Sequence, residues 1–334
     1  MSALSIAAAW TAQPNPLGDF RAYLERSLRD PFTINLKGCS LMEVIRICTS
    51  TKSKMHPNYE ANTSSLVYNL RKLEEQFRVT LHPIQVTDIF WGYFIDFCQS
   101  RGMKSSSITT MCNQLRSILN WAVKYNADVS PTFRDIIFPK ITNQKIALTA
   151  DEVSRISYFD IDRFYAGRRK DYRETMERVR DMFVLSTNLF QRHSDMVRIS
   201  PDCFQRNIFS IVQQKTGNRA VVDIDKFSVE PKTTYRILER YGYVAPYTAN
   251  IQNYNDKLHD LMRDVGLDEP VRIEERIGGK LVSASVPKWQ LVSSHTARRT
   301  AITINVLRGN NVHDLKRCSG HSDLRIFDEY VRDE

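Results

Sequence analysis

Hydrophobic residues in the first 140 positions recur with the 3.6-residue period of amphipathic helices, and no strand pattern interrupts them. The clearest stripe lies in the segment 105–125. It consists of Ile108, Met111, Cys112, Leu115, Ile118, Leu119 and Ala122. The pattern predicts five helices, at roughly 17–30, 41–51, 62–78, 86–100 and 105–125.

A second region begins after a stretch rich in proline and lysine. The stretch between Ser130 and Leu148 shows no sustained apolar period, which is typical of a linker. The sequence Thr-Ala-Asp-Glu at 149–152 then matches a capping box, in which Thr149 and Glu152 cap the first turn of a helix. We therefore predict domains at 1–140 and 149–334, joined by a linker at 141–148.

The second region combines helical periodicity with one alternating segment. Apolar residues alternate through 208–224 on either side of Thr216-Gly217-Asn218, which predicts a β-hairpin with Lys215 beside its turn. Helices are expected near 172–190, 230–241, 250–265, 295–308, 311–317 and 323–332. The predicted fold class is mainly α with a small β-hairpin or sheet (α+β).

Composition limits the broad class of the protein. The chain has 334 residues, of which 42% are hydrophobic and 25% charged, as expected of a soluble globular protein that buries real cores. Its six cysteines include no C-x-x-C pair, so we expect reduced thiols. The apolar stretch at 3–10 lacks a basic flank and is too short to span a bilayer, so we expect a cytoplasmic protein.

The net charge of +9 indicates a polyanionic partner. Residues 101–150 carry seven Lys or Arg against two acids, so the basic excess is concentrated there. The polar face of the helix at 105–125, with the residue just before it, is a candidate DNA-binding surface. Its residues are Lys104, Asn113, Arg116, Asn120 and Lys124. The alternative is an ordinary solvated helix face.

Candidate chemistry is concentrated near the end of the chain. His295 and Arg298 are three residues apart and would share one face of a helix, with Ser294 as its N-cap. The amides of a helix N-terminus favour an anion such as phosphate. His321 follows a glycine, and Tyr330 lies about two helical turns further on. Each residue alone is more often structural, but the joint spacing favours phosphodiester chemistry.

Together with QRHSD at 191–195 and QKTGN at 214–218, these motifs resemble the catalytic boxes of the tyrosine recombinases, the phage-integrase family of site-specific DNA recombinases. The resemblance implies an N-terminal helical core-binding domain and a C-terminal catalytic domain that close around DNA. It also implies a role for each motif residue. Arg192 would be the first catalytic arginine, Lys215 the hairpin lysine, His295 and Arg298 the His-x-x-Arg pair, His321 the second histidine and Tyr330 the nucleophile.

The activity implied by this resemblance is cleavage and rejoining of DNA strands through a 3′-phosphotyrosyl link, without ATP, metal or other cofactor. The implied partners are double-stranded DNA and further copies of the chain, with two protomers on each site and four during exchange. Accessory DNA-bending proteins are a further class of partner, and no membrane is involved. The protein would be associated with the nucleoid.

The chain departs from the family pattern at two places. The family usually has Thr-Gly-x-Arg before its first arginine, whereas Leu189, Phe190 and Gln191 precede Arg192 here. Only four residues follow Tyr330, so we expect assembly contacts to be reduced or placed elsewhere.

Two alternative functions share part of this pattern. A type IB topoisomerase uses similar Arg, Lys, His and Tyr chemistry, although its counterpart of His295 is usually not histidine. A DNA-binding regulator could use the fold without cleavage, but the intact Tyr330 disfavours it. A zinc site lacks a carboxylate or thiolate pair near the histidines, and a Ser/His/Asp hydrolase lacks a nucleophile elbow.

Overall fold

The computed structural model describes residues 34–136, 138 and 146–321. The helices expected at 17–30 and 323–332 lie outside these residues, as does most of the expected linker.

The described residues divide into two compact units. The first contains the N-terminal helices together with residues 275–282, and the second contains residues 146–274 and 283–321. Each unit buries its own hydrophobic core.

The described part of the first unit is built from α-helices. They are α1 (Leu41–Ser53), α2 (Tyr59–Phe77), α3 (Asp88–Ser100) and α4 (Ser105–Val123). Each confirms a helix expected from the apolar periodicity. Helix α1 begins at Ser40, whose side chain accepts a hydrogen bond from the Glu43 amide, while the Glu43 carboxylate accepts one from the Ser40 amide at 2.8 Å. Helices α1, α2 and α3 all pack against α4.

The predicted apolar stripe of α4 is the centre of this packing. All seven of its residues are at most 2% exposed. Burying a side chain of the size of leucine stabilises a fold by about 1.5–3 kcal/mol, so the stripe determines which face of α4 turns inward. The opposite, polar face is left at the surface.

The second unit is also mainly helical. Its described helices are α5 (Ala150–Ser157), α6 (Ile161–Phe164), α7 (Lys170–Asn188), α8 (His193–Met196), α9 (Ile224–Phe227), α10 (Pro231–Arg240), α11 (Ile251–Asp264), α12 (Ser294–Leu307) and α13 (Val312–Ser319). Every residue of α7 from Val179 to Asn188 is buried, because α5, α10, α11 and α12 surround it. None of the described helices is long and apolar enough to cross a membrane.

A small antiparallel sheet lies in the second unit. Its strands, β1 (Phe204–Gln205), β2 (Ile208–Val212) and β3 (Arg219–Asp223), are ordered β1-β2-β3. Buried Phe209 pairs with Val222, so the hairpin predicted from alternation is confirmed. The connection is a six-residue loop at 213–218 rather than a three-residue tip. The Gln213 amide donates to the Asn218 carbonyl at 2.9 Å and closes this loop.

A second hairpin, formed by β4 (Pro270–Ile277) and β5 (Lys280–Pro287), was not predicted. Most positions of these strands are exposed or half-buried, so no alternation of apolar residues marks them. The sequence signal for this hairpin was Gly278-Gly279. Both glycines have positive φ, 55° and 77°, as a two-residue hairpin turn of type I′ requires.

The helix start predicted at Thr149 is confirmed by its capping box. The Glu152 amide donates to the Thr149 hydroxyl at 3.2 Å, and the Thr149 amide donates to the Glu152 carboxylate at 2.7 Å. That carboxylate also receives the buried ammonium of Lys288 at 2.6 and 2.8 Å. The ion pair therefore ties the start of α5 to the segment that follows β5.

Candidate active site

Five of the six residues expected to carry chemistry are described, and all five lie in the second unit. They are Arg192, Lys215, His295, Arg298 and His321. Tyr330, the expected nucleophile, lies outside the described residues. The five come from four segments: the turn before α8, the β2–β3 loop, the first turn of α12 and the residue that follows the C-cap of α13.

The turn before Arg192 has an unusual backbone. Phe190 has φ of 62°, in the left-handed region that costs a residue with a Cβ about 1–2 kcal/mol, and its ring is completely buried. This is the position at which the Thr-Gly-x-Arg pattern has glycine. The turn thus adopts a conformation that glycine favours, and burial of the phenyl ring offsets the strain.

Arg298 is completely buried and connects two of these four segments. Its Nη1 donates to the Phe190 carbonyl at 3.1 Å, and its Nη2 lies 3.0 Å from Nε2 of His321. The strained turn therefore presents its carbonyl directly to the second arginine of the site.

The helix that carries Arg298 begins one residue earlier than predicted. Ser293, not Ser294, is the N-cap, because Ser293 has an extended backbone while Ser294 is already helical. The Ser293 amide donates to the Thr296 hydroxyl at 2.9 Å, and the Ser294 amide donates to the Asn255 side chain at 2.9 Å. His295 lies in the same first turn as Arg298, but its side chain is exposed whereas the guanidinium is buried.

His321 is held by both ring nitrogens. Gly320 ends α13 in the left-handed conformation and directs the chain so that His321 Nε2 meets Arg298. A guanidinium has no acceptor, so Nε2 must accept from it, and the ring proton then sits on Nδ1. Nδ1 lies 2.8 Å from the Ser319 hydroxyl, which in turn donates to the Leu315 carbonyl at 2.7 Å. These contacts specify a neutral imidazole.

Electrostatics favour the same neutral form. Burial is the largest cause that lowers the pKa of His321, to about 3, and nearby positive charges add to it. These charges belong to Arg298, Arg192 and His295. Four of the expected catalytic residues therefore share one electrostatic neighbourhood, although they are separated by up to 129 positions in sequence (321 − 192).

Lys215 lies in the exposed loop between β2 and β3. The Gly217 amide donates to the Gln213 carbonyl at 2.9 Å, which holds the loop in a tight turn around Lys215. The Lys215 side chain is exposed, as expected of a group that would reach a bound ligand.

Two buried glutamines, Gln191 in one motif and Gln213 next to another, were not predicted to contribute to the site. Gln213 donates to the Gln191 side chain at 2.9 Å, and its own carbonyl oxygen accepts from Arg192 at 2.9 Å. Gln213 could have been recognised from the alternation of β2, in which every second side chain points toward the core. Buried Phe209 and Ile211 precede it at two-residue spacing, so the next inward position is a polar side chain.

The assembled groups suit an anion with several oxygen atoms. The guanidinium groups of Arg192 and Arg298 supply forked donors. The imidazole of His321 contacts Arg298 through one ring nitrogen and Ser319 through the other. Such donors bind phosphate oxygens through charge-assisted hydrogen bonds, which are about twice as strong as neutral ones. In residues 34–136, 138 and 146–321, no cluster of three or more His, Cys, Asp or Glu is arranged to hold a metal ion.

The candidate DNA-binding face of α4 belongs to the first unit. Asn113, Asn120, Lys104 and Lys124 are exposed, and Arg116 is half-buried. Arg116 donates to the Asn113 side chain at 2.9 Å and lies over the Phe138 ring at 5.0 Å. These contacts hold the guanidinium of Arg116 along the helix.

Two further contacts alter the predicted composition of this face. Arg134 donates to the Asn120 side chain at 2.9 Å, so it adds a cation that the helical pattern did not include. Lys104 forms an ion pair with Glu275 at 2.7 Å, which partly neutralises one of the predicted cations.

Neither a protein-family model nor a curated protein sequence matches the chain. Solved structures with a similar fold do exist. A lambda integrase dimer bound to a core site matches with a TM-score of 0.60 and 13% identity, over 85% of this chain and 95% of that one. A lambda integrase tetramer bound to a Holliday junction matches with a TM-score of 0.60 and 13% identity, over 96% and 87%.

The XerH site-specific recombinase, bound to its difH substrate in a pre-cleavage complex, matches with a TM-score of 0.58 and 10% identity, over 88% of this chain and 82% of that one. At these identities the likeness is one of fold. The mainly α fold with a small antiparallel sheet, expected from the resemblance to the tyrosine recombinases, is therefore confirmed.

Proposed function

We propose that this chain, with its integrase-like fold, is a site-specific DNA recombinase that cleaves and rejoins strands through a 3′-phosphotyrosyl intermediate. The observation that carries the proposal is the convergence of Arg192, Arg298 and His321 from three distant segments on one site. The expected nucleophile is Tyr330.

The two arginines would make the tyrosine hydroxyl reactive by stabilising the charge that develops on phosphate. A free tyrosine has a pKa near 10, so deprotonation at pH 7 costs about 4 kcal/mol. Arg192 and Arg298 would bind the non-bridging oxygens, and their hydrogen bonds strengthen as negative charge builds in the pentavalent transition state. This stabilisation offsets the cost of using a phenol as nucleophile.

His321 would change partners when DNA binds. In the structure, its Nε2 accepts a hydrogen bond from Arg298 and has no proton to give to phosphate. When the guanidinium turns its donors to phosphate, Nε2 is released, and the negative charge of the phosphate raises the pKa of the ring. A proton on Nε2 would then provide a third hydrogen bond to the scissile group.

Two exposed side chains are assigned to proton transfer. His295 would accept or relay the phenolic proton as the Tyr330 oxygen forms its bond to phosphorus. Lys215 would protonate the 5′ oxygen as the bond between phosphorus and that oxygen breaks. One phosphoester replaces another, so a 5′-hydroxyl from a partner duplex can reverse the step without ATP, and the two arginines supply the charge stabilisation that a metal ion would otherwise provide.

DNA binding and assembly complete the proposal. The polar face of α4 would contact the DNA backbone, and two protomers would occupy each site, with four in the exchange complex. Lambda integrase is a dimer on a core site in one of the matching structures and a tetramer on a Holliday junction in another, which supports this arrangement. The protein would work in the cytoplasm on nucleoid DNA, with DNA-bending accessory proteins as a further class of partner.

The decisive experiment is to trap the covalent intermediate in the native cells, isolate the protein with its attached DNA, and sequence that DNA. The expected result is one recurrent site joined through its 3′ phosphate to Tyr330. Tyr330→Phe is the matched control, because it removes only the attacking hydroxyl and should yield no attached DNA. Absence of attachment by the unaltered protein, with biological activity preserved in Tyr330→Phe, would favour a non-cleaving regulator.

A topoisomerase is distinguished by its substrate. The recovered site is placed in a supercoiled plasmid, and relaxation is compared with that of a plasmid that lacks the site. A site-specific recombinase attaches only to the first plasmid and joins strands from two sites. Equal relaxation of both plasmids would contradict the proposal.

A further inference from the structure

We infer that Gln213 is a positioning residue that couples the Lys215 loop to the arginine and histidine segments. The inference rests on the proposed function and concerns a residue that would not itself touch DNA. Gln213 is 1% exposed and lies two positions before Lys215.

All four hydrogen-bonding positions of the Gln213 carboxamide are used. Its oxygen accepts from Nη1 of Arg192 at 2.9 Å and from the Thr216 hydroxyl at 3.1 Å. Its nitrogen donates to the Gln191 side chain at 2.9 Å and to the Ser319 carbonyl at 2.8 Å. A carboxamide offers two donors and two acceptor positions, so this side chain is fully satisfied.

The four partners belong to three different catalytic segments. Arg192 and Gln191 lie in the turn before α8, Thr216 follows Lys215 in the loop, and Ser319 ends α13 and bonds to His321. Gln213 therefore bonds to residues of all three segments. Displacing it would move each catalytic group relative to the others.

The backbone of Gly320 packs closely against the Gln213 side chain. A Cβ placed on Gly320 would lie 2.7 Å from the Gln213 carboxamide carbon, and Gly320 already has φ of 63°. Gln191 makes two further bonds, to the Leu189 carbonyl at 2.6 Å and the Cys318 carbonyl at 3.0 Å. The carboxamide thus sits in a closed polar network, in which one lost partner leaves several buried groups unsatisfied.

The contacts of Gln213 should affect protonation of the leaving 5′ oxygen by Lys215. Lys215 is exposed, and the hydroxyl of its neighbour Thr216 is anchored on Gln213. If that anchor places Lys215 at the 5′ oxygen, loss of Gln213 should impair protonation of the leaving group more than attack on phosphorus. A defect confined to overall stability would affect every substrate equally.

The test uses two DNA substrates of the same site, one with oxygen and one with sulfur at the 5′ bridging position. A thiolate leaves without protonation more readily than an alkoxide, because thiols have pKa values near 8.5. Covalent attachment to Tyr330 is measured in single turnover for the unaltered protein and for Gln213→Met, which keeps the length of the side chain. The ratio of the two rates within one preparation does not depend on the folded fraction.

Three further variants provide the comparisons needed to interpret the ratio of the two rates. Lys215→Ala gives the ratio expected when the general acid is lost. Thr216→Val removes only the hydroxyl that anchors the loop on Gln213. Gln214→Met is the matched control, because it is the neighbouring glutamine and its side chain is exposed.

We expect Gln213→Met to attach the oxygen substrate about 100-fold more slowly, the effect typical of a displacement near 1 Å, and to raise the sulfur-to-oxygen ratio about 10-fold. Thr216→Val should raise the ratio by less, and Gln214→Met should leave it unchanged. An unchanged ratio in Gln213→Met would overturn the inference. If the unaltered protein attaches neither substrate, the proposed function fails instead.

Discussion

Nη2 of Arg298 and Nε2 of His321 lie 3.0 Å apart, and this contact makes the imidazole a hydrogen-bond acceptor. The same two groups are expected to act together as donors on a phosphate. For His321 to donate to phosphate through Nε2, this hydrogen bond must break and Nε2 must gain a proton.

His321 should remain neutral at pH values where an ordinary histidine titrates. Its pKa is lowered to about 3, so an NMR titration of the DNA-free protein should show no step for this ring near pH 6.5. Saturating cognate DNA, with Tyr330→Phe to prevent cleavage, should bring its titration back toward that range. A step near pH 6.5 without DNA would contradict the lowered pKa of His321.

The same shift predicts how stability depends on pH. The folded pKa of His321 lies below the unfolded value, so the unfolded chain binds the proton first as pH falls from about 6.5 towards 3. The free energy of unfolding should therefore fall with decreasing pH in this window. His321→Gln should reduce that slope in urea titrations without abolishing it, because burial also lowers the pKa of His193.

Arg298→Lys tests whether the forked guanidinium is required rather than a positive charge alone. A lysine ammonium cannot reach the Phe190 carbonyl and a phosphate with the same planar geometry. We expect covalent attachment to slow by about 10²–10³-fold, while the DNA affinity measured by anisotropy changes little. Arg178→Lys, at an exposed position of α7, is the control and should behave as the unaltered protein.

At Phe190, replacement by glycine should destabilise the protein less than replacement by alanine, whereas the reverse order is usual for a buried residue. Loss of the ring costs about 3–5 kcal/mol, but glycine also relieves about 1–2 kcal/mol of left-handed strain. Phe190→Gly should therefore unfold at a higher urea concentration than Phe190→Ala, with both below the unaltered protein. Greater stability of Phe190→Ala would show that the backbone strain is not present.

The α4 face predicts the salt dependence of DNA binding. If Arg116 and Lys124 contact phosphates, each replacement by alanine should reduce the slope of log affinity against log salt by about 0.9. Lys72→Ala is the control, because Glu75 at 2.6 Å already neutralises that cation on α2. An unchanged slope in both α4 variants would exclude this helix from the DNA interface.

Local sequence patterns located most of the described fold. The stripe from Ile108 to Ala122 defines α4, and alternation around Thr216-Gly217-Asn218 defines the β2–β3 hairpin. Both patterns depend on side chains a few positions apart that must share one face, so they are visible without tertiary information. The β4–β5 hairpin was not predicted, because its strands are largely exposed and carry no such alternation.

The sequence by itself determined the longer described helices, the first hairpin and the kinds of side chains at the candidate site. Only the tertiary structure decided the left-handed backbone of Phe190, the four bonds of Gln213 and the proton position on His321. The physical reason is distance along the chain. These features depend on hydrogen bonds between segments as far as 108 residues apart, such as that from Arg298 to the Phe190 carbonyl, which no local periodicity encodes.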